Sequence, residues 1–416
     1  MAEQPGFVIR RGTNLPAMGD FNQSVILDVI RRSRTGLSRV ELASATGLSA
    51  QTISNICRRL LDRDFIVAAG KEISGPGKPR TILRLNPHGR YALGVHLDPT
   101  VMTFVMLDLT GAVVARSRHA TPTSTDPDVI IASLVSAITD LVSESGVSRD
   151  RIAGVGIAAP GPIDRVRGTV VDPPHLVGWH QVALRDALAE GTGFPAILDK
   201  DVTAAAVAEM WAGGPSGLGS FVFLYLGTGI GTGLVVKDEV VRGSSDNAGE
   251  IGHIVTDPDG PPCFCGLRGC VFVTCMPRSL VIEAGRRGVF GGVTVGLDTV
   301  SIDERFTELC GAAAAGDEVA GEILDRSAVR LSKAVSVVAN LLDLDRVVFG
   351  GPFWSRLSGH YMRSIPALLE ESRVARSVHR ITVVGTGVGE DVAAIGAACL
   401  VLDRALTPNP KSLLLA

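Results

Sequence analysis

The residues best suited to chemistry in this sequence lie close together. His253, Cys263, Cys265 and Cys270 form an H-x9-C-x-C-x4-C pattern inside GEIGHIVTDPDGPPCFCGLRGC, a stretch dense in Gly, Pro and Asp. One imidazole and three thiolates suit a four-coordinate Zn²⁺ ion, and four protein ligands leave no position open for catalysis, so the expected role is structural. A disulfide pair or a chance cluster in a loop is the alternative reading. Four of the seven cysteines fall within 13 residues, behind a histidine, which favours the metal.

A loop of this composition has to be held by the elements around it, and the chain is long enough to supply them. At 416 residues, 46% of them apolar, two or three well-buried domains are expected. No uncharged apolar run reaches the ~18 residues of a membrane span, and the start, MAEQPGFVIRRG, lacks the apolar core of a secretory signal. Seven cysteines with one metal-type cluster suit a reducing cytoplasm better than a disulfide framework. Cys57, Cys310 and Cys399 sit in apolar helical surroundings and read as core. The net charge of -3 hides an asymmetry: residues 1–90 hold 14 Lys and Arg against 7 Asp and Glu, while the rest holds 26 against 36. A basic head on an acidic body points the head towards a polyanion.

Within the head, residues 1–19 carry no periodicity and are expected to form a flexible arm. Val25, Ile26, Val29 and Ile30 recur at helical spacing, giving a first helix from Phe21 to about Ser33. Ser38 and Glu41 have the capping-box spacing for a short second helix opening at Arg39. Ser49 caps a third, in which Ile53, Ile56, Cys57 and Leu60 face inward while Gln51, Thr52, Asn55, Arg58 and Arg59 stay outside. That is a helix-turn-helix, whose second helix enters the major groove. Asn and Gln pair with adenine edges, Thr meets a thymine methyl, and Arg binds guanine or phosphate. The run from Phe65 to Leu85 reads as a β-hairpin wing carrying Lys78 and Arg80, placed for phosphates or the minor groove. The expected unit is a winged helix-turn-helix over 20–87, with Arg39, Ser49, Gln51, Thr52, Asn55, Arg58, Arg59, Lys78 and Arg80 on its DNA side. An ordinary three-helix bundle with a polar face is the competing reading.

From Arg90 the pattern becomes α/β. Three strands fill 91–119, a helix follows over 127–145, and a strand over 152–158 ends at the turn APGPID. A second series opens with the strand Phe221–Leu226, the turn Gly227–Gly233 and a strand Leu234–Lys237. Helices at about 277–287, 301–315, 317–342 and 360–371 come after the cysteine loop. A buried strand at 346–349, one at 380–384 and an Ala-rich helix complete the body.

The GEIGH segment followed by C-x-C-G-x-x-G-C resembles the ROK family, which comprises bacterial sugar kinases and sugar-responsive transcriptional repressors. The resemblance runs from about residue 20 to about residue 402. It implies a two-lobed actin-like, ribonuclease-H-like fold, with one lobe over 88–205 plus 385–405 and the other, bearing the zinc loop, over 206–384. It also implies that Asp201 matches the catalytic base, Glu250 and His253 the ligands of sugar hydroxyls, Gly227–Gly233 a phosphate-cradling turn and Gly350-Gly351 the adenine-side turn.

The sequence departs from the family's kinases at three places. They carry Asp-x-Gly-Gly-Thr after the first strand, where this chain has His96-Leu97-Asp98-Pro99-Thr100. The magnesium-side carboxylate is gone, Asp98 adds charge beside a triphosphate, and Pro99 removes an N–H and the φ freedom of glycine. Asn before the base is here Lys200, and Glu two residues past the last zinc cysteine is here Phe272. The reading is a transcriptional regulator, a repressor of carbohydrate-related genes and not an enzyme. It would bind an inverted repeat as a dimer or tetramer and sense a sugar-like effector at Asp201, Glu250 and His253, with Asp201 a vestigial base. Competing readings are a sugar kinase with a DNA-binding head, and a zinc-stabilised assembly module with a basic head that binds nucleic acid non-specifically.

Overall fold

Helix α1, Leu15–Arg32, is the first element of the described residues and buries Ile26, Leu27 and Ile30. The computed structural model describes residues 15–406 apart from 34, 73–78, 175, 215–217, 293–295, 297, 373 and 375–379. The helix starts inside the segment expected to be a flexible arm, because Pro16 stands in the first turn, where no N–H is missed. A two-residue strand β1, Leu37–Ser38, leads into α2, Arg39–Thr46, and then α3, Ala50–Asp62. The capping box forms as expected: Ser38 N donates to Glu41 Oε2 at 2.7 Å and Glu41 N to Ser38 Oγ at 3.4 Å. Gly47 ends α2 in the left-handed conformation at φ 68°, and Ser49 Oγ accepts from Thr52 N at 3.2 Å to start α3. Strands β2, Ile66–Glu72, and β3, Arg80–Leu85, form the wing, and β1 adds antiparallel to β3. Ile53, Cys57, Leu60 and Leu83 are fully buried between helices and wing, each large aliphatic contributing about 1.5–3 kcal/mol.

The body repeats one topology. Strands β4, Tyr91–Leu97, β5, Val101–Asp108, and β6, Val113–Ala120, form an antiparallel meander, followed by α4, Pro127–Ser145, and β7, Ile152–Ala159. A small hairpin of β8, Ile163–Asp164, and β9, Thr169–Val170, precedes α5, Leu184–Thr192, and β10, Ala196–Lys200. The five-stranded sheet has the order β10-β7-β4-β5-β6, with β10, β7 and β4 parallel. Helix α6, Asp201–Ala212, crosses to the second sheet. There β11, Phe221–Leu226, β12, Ile230–Val236, and β13, Glu239–Val240, make another meander. Helices α7, Val271–Cys275, α8, Pro277–Arg286, α9, Thr299–Ala314, and α10, Glu318–Leu342, lead to β14, Arg346–Gly350. Then α11, Trp354–Glu371, and β15, Thr382–Gly385, complete the order β13-β12-β11-β14-β15, with β11, β14 and β15 parallel. Each sheet is thus a meander extended by two parallel strands. Among the described residues no helix is long and apolar enough to cross a membrane.

Two expectations are corrected here. The turn expected over Gly227–Gly233 closes by Gly229, because Ile230–Gly233 already pairs with β11. A Cβ on Gly231 would lie 2.7 Å from Val202 Cγ1 and one on Gly233 2.3 Å from Val202 O, so these glycines admit α6 and do not bend the chain. Helix α11 begins six residues before the expected start at 360, since Leu357 is buried and Trp354 half-buried against the core of the second lobe.

Helix α12, Val392–Leu406, returns to the first lobe and packs on α6. The approach is close enough that a Cβ on Gly396 would stand 1.7 Å from Ala204 O. Helix α1 lies on the same layer. The Arg31 guanidinium sits 4.3 Å from the Trp211 ring centroid, and Trp211 Nε1 donates to Asp403 Oδ1 at 3.2 Å. The cores of the head and the first lobe are therefore continuous.

Candidate functional site

Three sets of side chains with chemistry in reach emerge from this scaffold. In the first, a 3-10 turn, Ile251–His253, presents the imidazole, and the loop that follows is pinned by Cys263 N on Leu267 O at 2.8 Å and Gly269 N on Pro261 O at 2.8 Å. The ligand atoms of His253, Cys263, Cys265 and Cys270 all lie within 4.8 Å of one another. Cys263 Sγ is 3.5 Å from His253 Nδ1 and Cys265 Sγ is 3.6 Å from Cys270 Sγ. A tetrahedral ion with Zn–S of ~2.3 Å and Zn–N of ~2.05 Å separates its ligands by roughly 3.6–3.8 Å. The donor set and its spacing fit zinc. Desolvation first, then the neighbouring Cys265 and Cys263, pushes the Cys270 thiol up to about 12, while the backbone N–H of Leu267 holds Cys265 below its ordinary value. The imidazole edge meets Phe264 at 4.9 Å between centroids and stacks with Phe272 at 6.1 Å.

The second set is the outer face of α3. Gln51, Asn55, Arg58 and Arg59 are exposed and Thr52 is half-buried. At ~100° per residue these five positions span about 120° of the helix, opposite Ile53, Ile56, Cys57 and Leu60. Asn55 Oδ1 accepts from Gln51 Nε2 at 3.3 Å and from Arg58 Nη2 at 3.2 Å, and Ser49 Oγ pairs with Thr52 Oγ1 at 2.9 Å. The face is thus preordered by its own hydrogen bonds. Arg39 is half-buried at the start of α2, and Arg80 is exposed at the start of β3. Lys78 lies outside the described residues.

The third set lines the cleft between the sheets. Asp201 opens α6, and desolvation pushes its carboxyl above the ordinary range against the pull of His96, Lys200 and the Val202 N–H. His96 is 7% exposed and its Nε2 has no partner; Tyr225 lies edge-on at 6.1 Å between centroids. Lys200 Nζ reaches across to Glu250 Oε1 at 2.6 Å. One step along β10, Asp199 is buried and receives Arg242 Nη2 at 2.7 Å. Asn247 ties the same segment to Ile163, its Oδ1 accepting from the backbone N and its Nδ2 donating to the carbonyl, both at 2.8 Å. Of the expected effector residues, the structure puts Glu250 on Lys200, next to Asp201. His253 follows Glu250 by three residues, with Nδ1 turned to the thiols. Asn247 and Arg242 escaped the sequence reading, as did the bond from Thr228, in the Gly227–Gly233 turn, to Asp98, since each bond joins residues 43 or more positions apart.

Residues 92–404 match the ROK family. The chain belongs to the ROK family. A putative xylose repressor from Caldicellulosiruptor sp. (strain Rt8B.4) is 24% identical over 392 residues, covering 92% of this chain and 96% of that protein. A glucokinase from Halalkalibacterium halodurans is 28% identical over 323 residues, covering 76% of this chain and 96% of that protein. Among solved structures, a ROK family transcriptional regulator described as a homologue of the E. coli MLC protein superposes with a TM-score of 0.77 at 23% identity, over 94% of this chain and 98% of that one. The repressor-type and regulator matches take in the head, while the glucokinase match leaves a quarter of the chain over. The two-sheet body is thus the ROK fold, and the winged head precedes the matched residues 92–404.

Proposed function

We propose that this ROK protein is a sequence-specific DNA-binding repressor of carbohydrate-related genes, in which a kinase-derived body senses a sugar-like effector. The observation that carries the reading is the winged head itself. Its preordered Gln51, Thr52, Asn55 and Arg58 face is aimed outward on a helix whose opposite side is core, and base-edge readers have this arrangement. Arg39, Ser49, Arg59 and Arg80 surround it as phosphate-side groups, and Lys78 is assigned the same role from the sequence. The functional units in this reading are 20–87 for DNA, 88–205 plus 385–405 for the first lobe and 206–384 for the second. A homodimer or homotetramer would present paired heads to an inverted repeat in the cytoplasm.

His253, Cys263, Cys265 and Cys270 hold Zn²⁺ in this proposal, and bound zinc supplies a brace for the loop after Glu250 with no open coordination position. Phosphoryl transfer is not part of the function. A kinase needs backbone N–H groups and a magnesium-side carboxylate at the first turn, and His96, Asp98 and Pro99 occupy those places. The kinase reading keeps one observation in its favour, the retained Asp201 at the start of α6. Genomic selection of bound DNA, followed by competition against random sequence, tests the regulator reading. A coupled ADP assay with glucose tests the kinase reading. Discrimination below tenfold between selected and random DNA would overturn the first, and turnover abolished by Asp201→Asn would establish the second.

A further inference from the structure

The two lobes are joined by bonds of the kind a bound substrate would make. Asp98 Oδ1 accepts from Thr100 N at 2.8 Å, Thr100 Oγ1 at 2.6 Å and Thr228 Oγ1 at 3.0 Å. The first two are an ordinary Asx turn. Asp108 makes the same pair with Thr110, at 2.8 and 2.6 Å, and takes its third donor, Ala112 N at 3.1 Å, from its own turn. Asp98 differs because its third donor comes from the opposite lobe. The turns involved, β4–β5 and β11–β12, are the equivalent turns of the two repeats, the places where a ROK kinase would bring donors to phosphate.

The other half of the cleft is bridged by a cation. Lys200 is 3% exposed, and its ammonium donates to Glu250 Oε1 at 2.6 Å and to the carbonyls of Asn247 and Ala248 at 3.3 Å each. An ammonium has three donors, and all three are spent on the second lobe. No donor is left for a ligand carboxylate or phosphate, so Lys200 is not poised to receive an acidic effector.

We propose that the cleft carries its own ligands. Asp98 stands in the phosphate half in place of an anion, and Lys200 stands in the sugar half in place of a hydroxyl donor. Together they hold the lobes closed without a small molecule. Lys200 is then the specificity-determining residue that denies a neutral sugar its place on Glu250. This rests on the reading of the cleft as a kinase-derived sugar site, keeps the DNA-binding part of the proposed function and replaces its effector-sensing part.

The test titrates D-glucose, D-xylose and D-gluconate into the full-length protein and its Lys200→Asn variant by calorimetry, and follows amide exchange of 227–232 and 247–250 in Thr228→Val. The wild type is expected to take up none of the three at millimolar concentration, and Lys200→Asn to gain at least tenfold in affinity for one neutral sugar. Thr228→Val is expected to speed exchange at 227–232 at least fivefold without ligand. Three results would overturn the proposal: a wild type that binds glucose or xylose as tightly as Lys200→Asn, a wild type that prefers gluconate tenfold, or exchange unchanged in Thr228→Val. If Lys200→Asn does not fold, the wild-type titrations and the Thr228→Val exchange still decide it. Operator titration separates this proposal from the functional reading. A sugar that binds the wild type and shifts operator affinity sinks the built-in ligands and upholds the sensor. A sugar that binds only Lys200→Asn and leaves operator affinity alone does the reverse.

Discussion

Replacing Asn55 by Ala isolates what the third helix of the head contributes to base reading. Asn55 is exposed and its Oδ1 accepts from Gln51 and Arg58 at 3.3 and 3.2 Å. An adenine edge would draw on both ends of the amide, so docking trades these internal bonds for base contacts and frees Gln51 and Arg58 for neighbouring positions. A bidentate side-chain–base pair is worth about 1–3 kcal/mol of discrimination, or roughly 5- to 150-fold per half-site. The side chain carries no charge and fills no core, so folding stability should stay within about 0.5 kcal/mol, and the slope of log affinity against log salt should not move. The assay is fluorescence anisotropy on a genomically selected operator and on scrambled DNA, each at several salt concentrations. The expected outcome is loss on the operator alone, with base choice relaxed at one position. Equal loss on both DNAs, or a changed salt slope, would refute the assignment of α3 as the reading helix.

The other expectations are simpler. Metal analysis should find about one Zn²⁺ per chain, and Cys265→Ser should lose it with a drop in melting temperature; a metal-free protein of unchanged melting temperature and DNA binding would rule out a structural ion. Arg80→Ala should weaken binding to all DNA and reduce the salt slope by about 1, whereas a sequence-dependent loss would make Arg80 a base reader. Ser38→Ala removes the hydroxyl half of the capping box and should cost about 1 kcal/mol, measured by denaturant unfolding. The Ser38 backbone N–H, and then its hydroxyl, holds the Glu41 carboxyl below its ordinary value. A folded pKa lower than the unfolded one means this stabilisation is fully present above the ordinary Glu range and is lost as pH falls through the lowered value. Ser38→Ala keeps the backbone N–H and removes only the hydroxyl, so the difference between wild type and variant should shrink in part in acid, and a constant difference down to pH 2 would exclude the bond from the Ser38 hydroxyl to the Glu41 carboxylate.

What the sequence made legible is what is local in the chain. The capping box at Ser38 and Glu41, the inward row Ile53, Ile56, Cys57 and Leu60, and the cluster of one histidine and three cysteines within 18 residues are patterns of short spacing. The family resemblance added the two-lobed body and the place of Asp201 and Glu250. Strand β1 is too short to show a period. Gly231 and Gly233 imitate a turn because a turn and a close helix contact both call for a missing side chain. The departures at Asp98 and Lys200 were visible as letters, but their partners were not: Thr228 stands 130 residues from Asp98 and Glu250 stands 50 from Lys200. Only the fold brings such pairs together.

Helix α6 has its first residue in the cleft and its eleventh under the head. Twelve residues make a rod of about 18 Å, with Asp201 at one end and Trp211, beneath Arg31, at the other. Gly396 is pressed against Ala204 O partway along, so α6 and α12 meet there backbone to backbone with no side chain between them. A tilt of about 5° with its pivot at the cleft end carries the far end through about 1.6 Å. A tilt of α6 at the cleft would thus be felt at Trp211, on which Arg31 of the head rests.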